Sequence, residues 1–155
     1  MLLNKNNIDT CSSLKIGKDK DGNFLKTRID KLTLVSFFMG KTEMKESYLK
    51  LKNIGKEKSE NYSIAHIKNK DNLPYRRALL IKRRNKKPTV LLRIDYSPIN
   101  KNTGGIRFDF HPQHLTTKKF KHLLLWMNKK LGEVFYQLLA RAWITQIDVV
   151  TCPQY

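Results

Sequence analysis

Two short segments of alternating apolar and polar residues, joined through a Gly-Gly turn, constrain the fold of this chain more than any other feature. Residues 89–97 and 106–111 each carry an apolar side chain at every second position. Because successive side chains of a strand point to opposite faces of the sheet, this alternation predicts two half-buried strands. Gly104 and Gly105 lie between them, as expected for a β-hairpin. The hairpin therefore has one apolar face and one polar face.

A helical region and a returning strand follow the hairpin. In residues 117–131 the apolar positions recur at helical spacing, with Thr116 as a suitable N-cap and Gly132 as a suitable C-terminal stop. Residues 133–141 predict a second helical piece, and residues 142–151 alternate again as a strand. The C-terminal third of the chain therefore predicts a hairpin, helices and a last strand.

The preceding residues complete an α+β pattern. They predict strands at 28–38, 62–68 and 75–84 and a helix at 42–52 with Thr42 as its N-cap. The order β-α-β-β-β-β-α-α-β predicts a mainly antiparallel sheet with helices packed on one face.

The chain is expected to contain one folded domain. Its length suits a single domain, and the polar residues 1–27 predict a flexible N-terminal lead-in. Residues 28–155 predict an α+β domain associated with nucleic acid.

The charge balance indicates a polyanionic partner. The chain holds 31 Lys and Arg against 13 Asp and Glu, a formal net charge of +18. Such an excess favours nucleic acid, although a solubilising basic surface or a membrane surface also fits. The candidate phosphate-binding residues are Arg76, Arg77, Lys82, Arg83, Arg84, Lys86, Lys87, Arg93 and Arg107. For a single Lys a solvated role is favoured, but for residues 75–87 as a group binding is favoured. Tyr75 and Tyr96 are candidates for stacking on unpaired bases.

Three aspartates on the predicted polar face suggest a second possible chemistry. Asp95, Asp109 and Asp148, with His111 nearby, could hold the Mg²⁺ or Mn²⁺ that phosphodiester chemistry often uses. The alternative is that each aspartate pairs with an arginine across the sheet, which is favoured for Asp95 and Asp109. Asp148 has no charged neighbour on its own strand and is the stronger metal candidate.

The cellular setting is expected to be the cytoplasm. No apolar run approaches the length of a membrane span, and the N-terminus lacks the apolar segment of a signal peptide. Cys11 and Cys152 have no metal-ligand spacing and predict free thiols in a reducing compartment.

Four segments resemble the N-terminal half of rolling-circle replication initiation proteins of filamentous phages and small plasmids. They are IDKLTLVSF at residues 29–37, LLRIDYSP at 91–98, GGIRFDFHPQHLT at 104–116 and ARAWITQIDVVT at 140–151. The resemblance implies a nicking and joining enzyme whose tyrosine attacks the origin phosphodiester with the help of a divalent metal. Asp148 matches the aspartate of the family's Ile-Asp strand.

The chain also departs from this family. Gln146 replaces the arginine of its Thr-Arg-Ile-Asp strand, His111 replaces the asparagine before proline, and Cys152 replaces a second aspartate. The family's catalytic tyrosine lies downstream, and Tyr155 is not a suitable nucleophile. The resemblance therefore implies a DNA-binding initiator domain without nicking activity of its own, which is a truncated initiator, a fragment of one, or a shortened relative that binds without cutting. The alternatives are a non-enzymatic protein that binds single-stranded DNA or RNA, and a structural module whose charge serves solubility.

Overall fold

The computed structural model of the chain has the α+β fold that the sequence predicts. It describes the backbone of residues 3–4, 7–8 and 11–153, and the side chains of residues 18–23 and 27–151. The strands are β1 (Leu3–Asn4), β2 (Asn7–Ile8), β3 (Cys11–Lys18), β4 (Phe24–Ser36), β5 (Tyr62–Lys68), β6 (Tyr75–Arg83), β7 (Val90–Pro98), β8 (Ile106–Phe110) and β9 (Trp143–Pro153). The helices are α1 (Lys41–Asn53), α2 (Thr117–Leu131) and α3 (Val134–Arg141), with a short 3-10 helix at Pro112–His114.

A seven-stranded antiparallel sheet organises the molecule. Its main path runs β9-β4-β8-β7-β6-β5, and β1 and β2 form a separate pair. β9 pairs along most of β4, while β8 pairs with the C-terminal half of β4 and β3 with its N-terminal half. Because β9 spans both halves, β3 and β8 must lie on the same edge of β4. The two outer edges of the main path are therefore β9 and β5.

The helices cover one face of this sheet and form the core with it. Phe108 and Phe110 of β8 are fully buried. The ring of Phe108 meets Phe135 of α3 at 5.8 Å, and that of Phe110 meets Phe120 of α2 at 5.6 Å, both edge to face. Fully burying such a side chain contributes about 1.5–3 kcal/mol to stability. The alternating residues of β8 and the helically spaced residues of α2 therefore form one stabilising interface.

The Gly-Gly turn is required by close packing. A Cβ on Gly104 would lie 2.3 Å from the Val35 side chain, and one on Gly105 would lie 2.7 Å from the Phe38 ring. The Tyr75 hydroxyl donates to the Gly104 carbonyl at 2.8 Å, and the Tyr48 hydroxyl donates to the Gly105 carbonyl at 2.7 Å. The turn thus lies against the end of β4, where only glycine fits.

The structure differs from the predicted lead-in. Residues 11–18 and 24–27, assigned by sequence to residues 1–27, belong to the paired strands β3 and β4. Asp19 makes the connecting turn, since its carboxylate accepts hydrogen bonds from the backbone N–H groups of Asp21 at 3.0 Å and Asn23 at 2.8 Å. Lys-rich, weakly apolar segments such as these carry little periodic signal, so their pairing with β4 could not be predicted locally.

The start of α1 was also predicted incorrectly. The helix begins at Lys41 with Gly40 as its N-cap, not at Thr42. The Gly40 carbonyl accepts the first helical hydrogen bond, from the N–H of Met44 at 3.1 Å. No side chain caps this helix, whereas at α2 the predicted Thr116 hydroxyl accepts from the Lys119 N–H at 3.2 Å.

Candidate nucleic-acid interface

The face of the sheet opposite the helices, here called the open face, carries the predicted polar group. Strand register places Arg93 opposite Asp109 and Asp95 opposite Arg107. The predicted residues that share this face are Arg93, Asp95, Arg107, Asp109, Gln146 and Asp148, and β4 adds Lys31 and Thr33. The predicted grouping is therefore confirmed by the register of four strands.

Asp95 is held in a closed hydrogen-bond network. It is 3% exposed, and the guanidinium of Arg93 donates to both of its carboxylate oxygens at 3.0–3.2 Å. Asn69 donates a further hydrogen bond to Asp95 at 3.2 Å and accepts one from Arg93 at 3.0 Å. The aspartate thus pairs with an arginine, as favoured from sequence, but two residues along its own strand and not across the sheet.

Asp109 is stabilised as a carboxylate without an arginine. The Thr33 hydroxyl donates to it at 3.0 Å, the Lys31 ammonium lies at 3.7 Å and the His111 ring nitrogen Nε2 at 3.8 Å. Burial alone would raise the pKa of Asp109, but hydrogen bonds from His111 and Thr33 and the Lys31 charge lower it below its ordinary value. Asp109 is therefore ionised at neutral pH, and the ion pairs of the described residues do not include the expected one between Asp109 and an arginine across the sheet.

Asp148 is the most accessible of the three aspartates. It accepts hydrogen bonds from the Gln146 amide at 3.2 and 3.3 Å and lies opposite Lys31 in the strand register. Within the described residues no group of three His, Cys, Asp or Glu side chains is placed to hold a metal ion. Of the three aspartates predicted as metal ligands, Asp95 accepts hydrogen bonds from Arg93, Asp109 from Thr33, and Asp148 from Gln146.

A strongly basic region lies at the other side of the sheet. This basic edge consists of the side chains of β6 and of the turn that follows it: Arg76, Arg77, Lys82, Arg83, Arg84, Lys86 and Lys87. Arg77 and Arg83 pair with Tyr96 and Tyr62, whose side chains lie on the helix side, and Arg76 lines a cleft with Lys52 of α1, whereas Lys82 lies on the opposite face. The expectation that one face carries all of these cations is therefore wrong. In the part of the chain that the structure describes, no salt bridge joins any of them to a carboxylate.

The basic edge continues into a cleft at the N-terminus of α2. This α2 cleft has a volume of about 480 Å³, and Glu60 is its acidic residue. Its basic lining residues are Arg83, Arg84, Lys118, Lys119 and His122. The first turn of α2 contains no acidic residue, and unpaired N–H groups make a helix N-terminus favourable for anions. The lysines of this turn were not among the predicted candidates, although an N-cap followed by two lysines could have indicated them.

Two arginines fix the segment that leads into α2. The guanidinium of Arg28 donates to the carbonyls of Pro112, at 3.1 Å, and Gln113, and that of Arg83 donates to the carbonyl of His114. Burial lowers the pKa of His114, and the neighbouring His111, Arg83 and Arg28 charges lower it further. Cations from β4 and β6 are thus held close to the α2 cleft, and Arg28 was not identified from the sequence.

The tyrosines proposed for base stacking are not available for it. Tyr75 is 3% exposed and Tyr96 is 2% exposed. Burial raises the pKa of Tyr75 to about 12, and Tyr96 packs against the Tyr48 ring at 5.3 Å. The prediction fails because both rings are buried, that of Tyr96 beside α1 and that of Tyr75 at the open face, where its neighbours include Arg107 and Asp109. The exposed aromatic pair is instead Phe37 and Trp143, with ring centroids 5.4 Å apart.

Comparison with known proteins gives this chain no family or function. No protein-family model, no curated protein and no solved structure matches this chain. Among the described residues, no helix is both long and apolar enough to cross a membrane.

Proposed function

We propose that this protein binds single-stranded DNA during the initiation of rolling-circle replication of a phage or plasmid. The observation that carries the proposal is the basic edge, whose cations lack carboxylate partners among the described residues and continue into the α2 cleft. Unpaired Arg and Lys side chains bind phosphates and release counterions from them. The replication setting rests on the resemblance of the four segments, and DNA as the ligand places the protein in the cytoplasm.

The distribution of the cations supports a flexible strand as the ligand. Lys82 projects to the open face, Arg77 and Arg83 project to the helix side, and the cleft lysines belong to α2. A straight duplex cannot contact both sides of a sheet edge at once, whereas a single strand can bend around it. Binding to the phosphates of such a strand depends little on base sequence.

We propose that the described residues bind DNA and do not cleave it. Burial raises the pKa of both Tyr62 and Tyr75 to about 12, which disfavours the phenolate that a nucleophilic tyrosine requires. The carboxylates of Asp95 and Asp109 already accept hydrogen bonds from neighbouring side chains. These tyrosines and aspartates therefore stabilise the fold.

Fluorescence anisotropy with labelled single-stranded DNA, duplex DNA and single-stranded RNA of equal length tests the proposal. Single-stranded DNA should bind most tightly, with an affinity that falls steeply as salt rises. Lys118→Ala/Lys119→Ala removes two cleft cations, and the slope of log affinity against log salt should become shallower by about 1.4, about 0.7 for each lost phosphate contact. RNA bound as tightly as DNA would favour an RNA-binding protein instead.

A matched variant separates a local site from general charge. Lys129→Ala/Lys130→Ala removes the same charge from the last turn of the same helix, about 16 Å away by the helical rise. This control should change the affinity and the salt slope much less than the cleft variant. Equal effects of the two pairs, or binding that does not respond to salt, would contradict a phosphate site at the α2 cleft.

A further inference from the structure

Strand β9 is an apolar edge that nothing covers in the part of the chain that the structure describes. It pairs with β4 on one side, and its exposed apolar side chains include Trp143 at 59%, Ile144 at 48%, Ile147 at 42% and Val149 at 53%. Edge strands are usually protected by lysines, prolines or a covering segment, because an open edge accepts further strands. Residues 143–151 contain no Lys, Arg or Pro. We propose that β9 pairs antiparallel with β9 of a second copy of this chain, which extends the sheet across a two-fold axis.

Charge selects the register of this pairing. Asp148 is the only charged residue between positions 143 and 151. A two-fold axis at Asp148 would set the two aspartates against each other, which destabilises a strand pair. An axis at Ile147 sets Gln146 against the partner's Asp148, so the amide that already donates within its own strand can donate across the interface. This complementarity favours an axis at Ile147.

The same register matches the apolar side chains. Ile147 meets the partner's Ile147 on the axis, and Val149 meets the partner's Thr145. Ile147 and Val149 lie on the helix side of the sheet, because their β4 neighbours Leu32 and Ile29 contact the core. The exposed apolar surface of β9 would thus extend the core of each copy. Burial of apolar side chains is the main favourable contribution to most strand pairings.

The charge of the whole chain explains why a second copy would bind here and not elsewhere. Two molecules of net charge +18 repel each other, and the repulsion is greatest where lysines and arginines face the contact. The β5 edge is unsuitable, because two cations, Lys68 of β5 and Arg77 of β6, lie opposite each other at its end. Residues 143–151 of β9 carry one charge, that of Asp148, and Lys31 lies beside Asp148 on the inner strand. Salt should therefore strengthen the association by screening the remaining repulsion.

Sedimentation velocity of the full chain over a wide range of protein concentration and salt tests this inference. We expect a monomer–dimer equilibrium that shifts toward dimer as salt rises, opposite to the salt dependence of nucleic-acid binding. Ile147→Lys should weaken the dimer at least about tenfold, because it places two ammonium groups at the axis. Leu49→Lys is the matched control, since Leu49 is 60% exposed on α1 and should leave the dimer unchanged. Circular dichroism checks that both variants are folded.

A charge exchange tests the register itself. Gln146→Glu sets a new carboxylate against the partner's Asp148 twice in each dimer, which should weaken association about tenfold. Gln146→Glu/Asp148→Lys restores an opposite-charge pair in the proposed register and should recover the affinity. Recovery supports an axis at Ile147, and failure to recover overturns that register. A monomer at every concentration and salt overturns pairing with a second copy and would leave β9 to a different polypeptide. DNA binding by that monomer is measured separately, so failure here leaves the proposed function standing.

Discussion

The two outer edges of one sheet differ in almost every property that governs association. On the β5 side, β6 and its turn carry seven Lys and Arg residues without carboxylate partners among the described residues. On the β9 side, residues 143–151 carry a single Asp and four exposed apolar side chains. Both edges have the same backbone hydrogen-bonding groups. The difference therefore lies in the side chains that surround those groups.

This contrast shows how one sheet can serve two kinds of contact. The cations at the β5 side repel another copy of the chain and attract phosphates. The apolar side chains at β9 offer nothing to phosphates and favour another strand. Between the two edges, the open face is self-contained, since Asp95 and Asp109 have partners within the sheet. DNA binding at the β5 side should consequently weaken as salt rises, whereas association through β9 should strengthen.

The largest expected effect is on the free energy of unfolding, when one isoleucine near each edge is replaced. Ile81 of β6 is fully buried and Ile147 of β9 is 42% exposed. Ile81→Ala should lower the free energy of unfolding by about 2–5 kcal/mol, because it leaves a cavity in the core. Ile147→Ala should cost far less, about 1 kcal/mol or below for a partly exposed site. Urea denaturation of the monomer, at a protein concentration below that of dimer formation, gives both values. Equal losses would mean that β9 is packed as tightly as β6.

A smaller effect is expected at Asp109, midway between the edges. Because its pKa is lowered in the folded protein, its ionised form contributes stability above the ordinary carboxyl pKa, and this contribution is lost as pH falls through the lowered value. Thr33→Val removes the hydroxyl that donates to Asp109. We expect a loss of about 1 kcal/mol at pH 7 and a smaller loss under acid conditions.

Urea denaturation at neutral and acid pH, together with an NMR titration of the Asp109 carboxyl, measures this effect. The titration midpoint should move upward in the variant toward the ordinary value. A variant that is equally destabilised at both pH values would indicate lost packing around Thr33 and not lost stabilisation of the carboxylate.

The smallest expected effect is spectroscopic and tests whether the two edges act separately. In a Trp126→Phe background, Trp143 is the remaining tryptophan and lies beside Phe37 at the β9 side. Its emission should change on dimer formation and stay constant when single-stranded DNA binds the monomer. Quenching by DNA would break the comparison, because it would show that the strand crosses the open face and reaches Trp143.

Periodicity predicted most of the secondary structure. The helix predicted at 117–131 is α2 with the same bounds, and the strand predicted at 62–68 is β5. The predicted polar face is also correct, because a period of two fixes which side chains share a face once strands pair. Pairing partners within that face were harder to predict. Asp109 takes a hydroxyl from β4, a strand 76 residues away in sequence, and no local pattern indicates that contact.

The sequence by itself determined the α+β class, the net charge of +18 and the concentration of cations in residues 75–87. These properties follow from local periodicity and from composition. Only the tertiary structure decided that Tyr75 and Tyr96 are buried, that the basic residues divide between two faces of β6, and that the α2 lysines join them. It also decided that β9 lies at an edge. Strand order depends on long-range pairing, and an alternating segment carries the same pattern whether its outer side meets another strand or solvent.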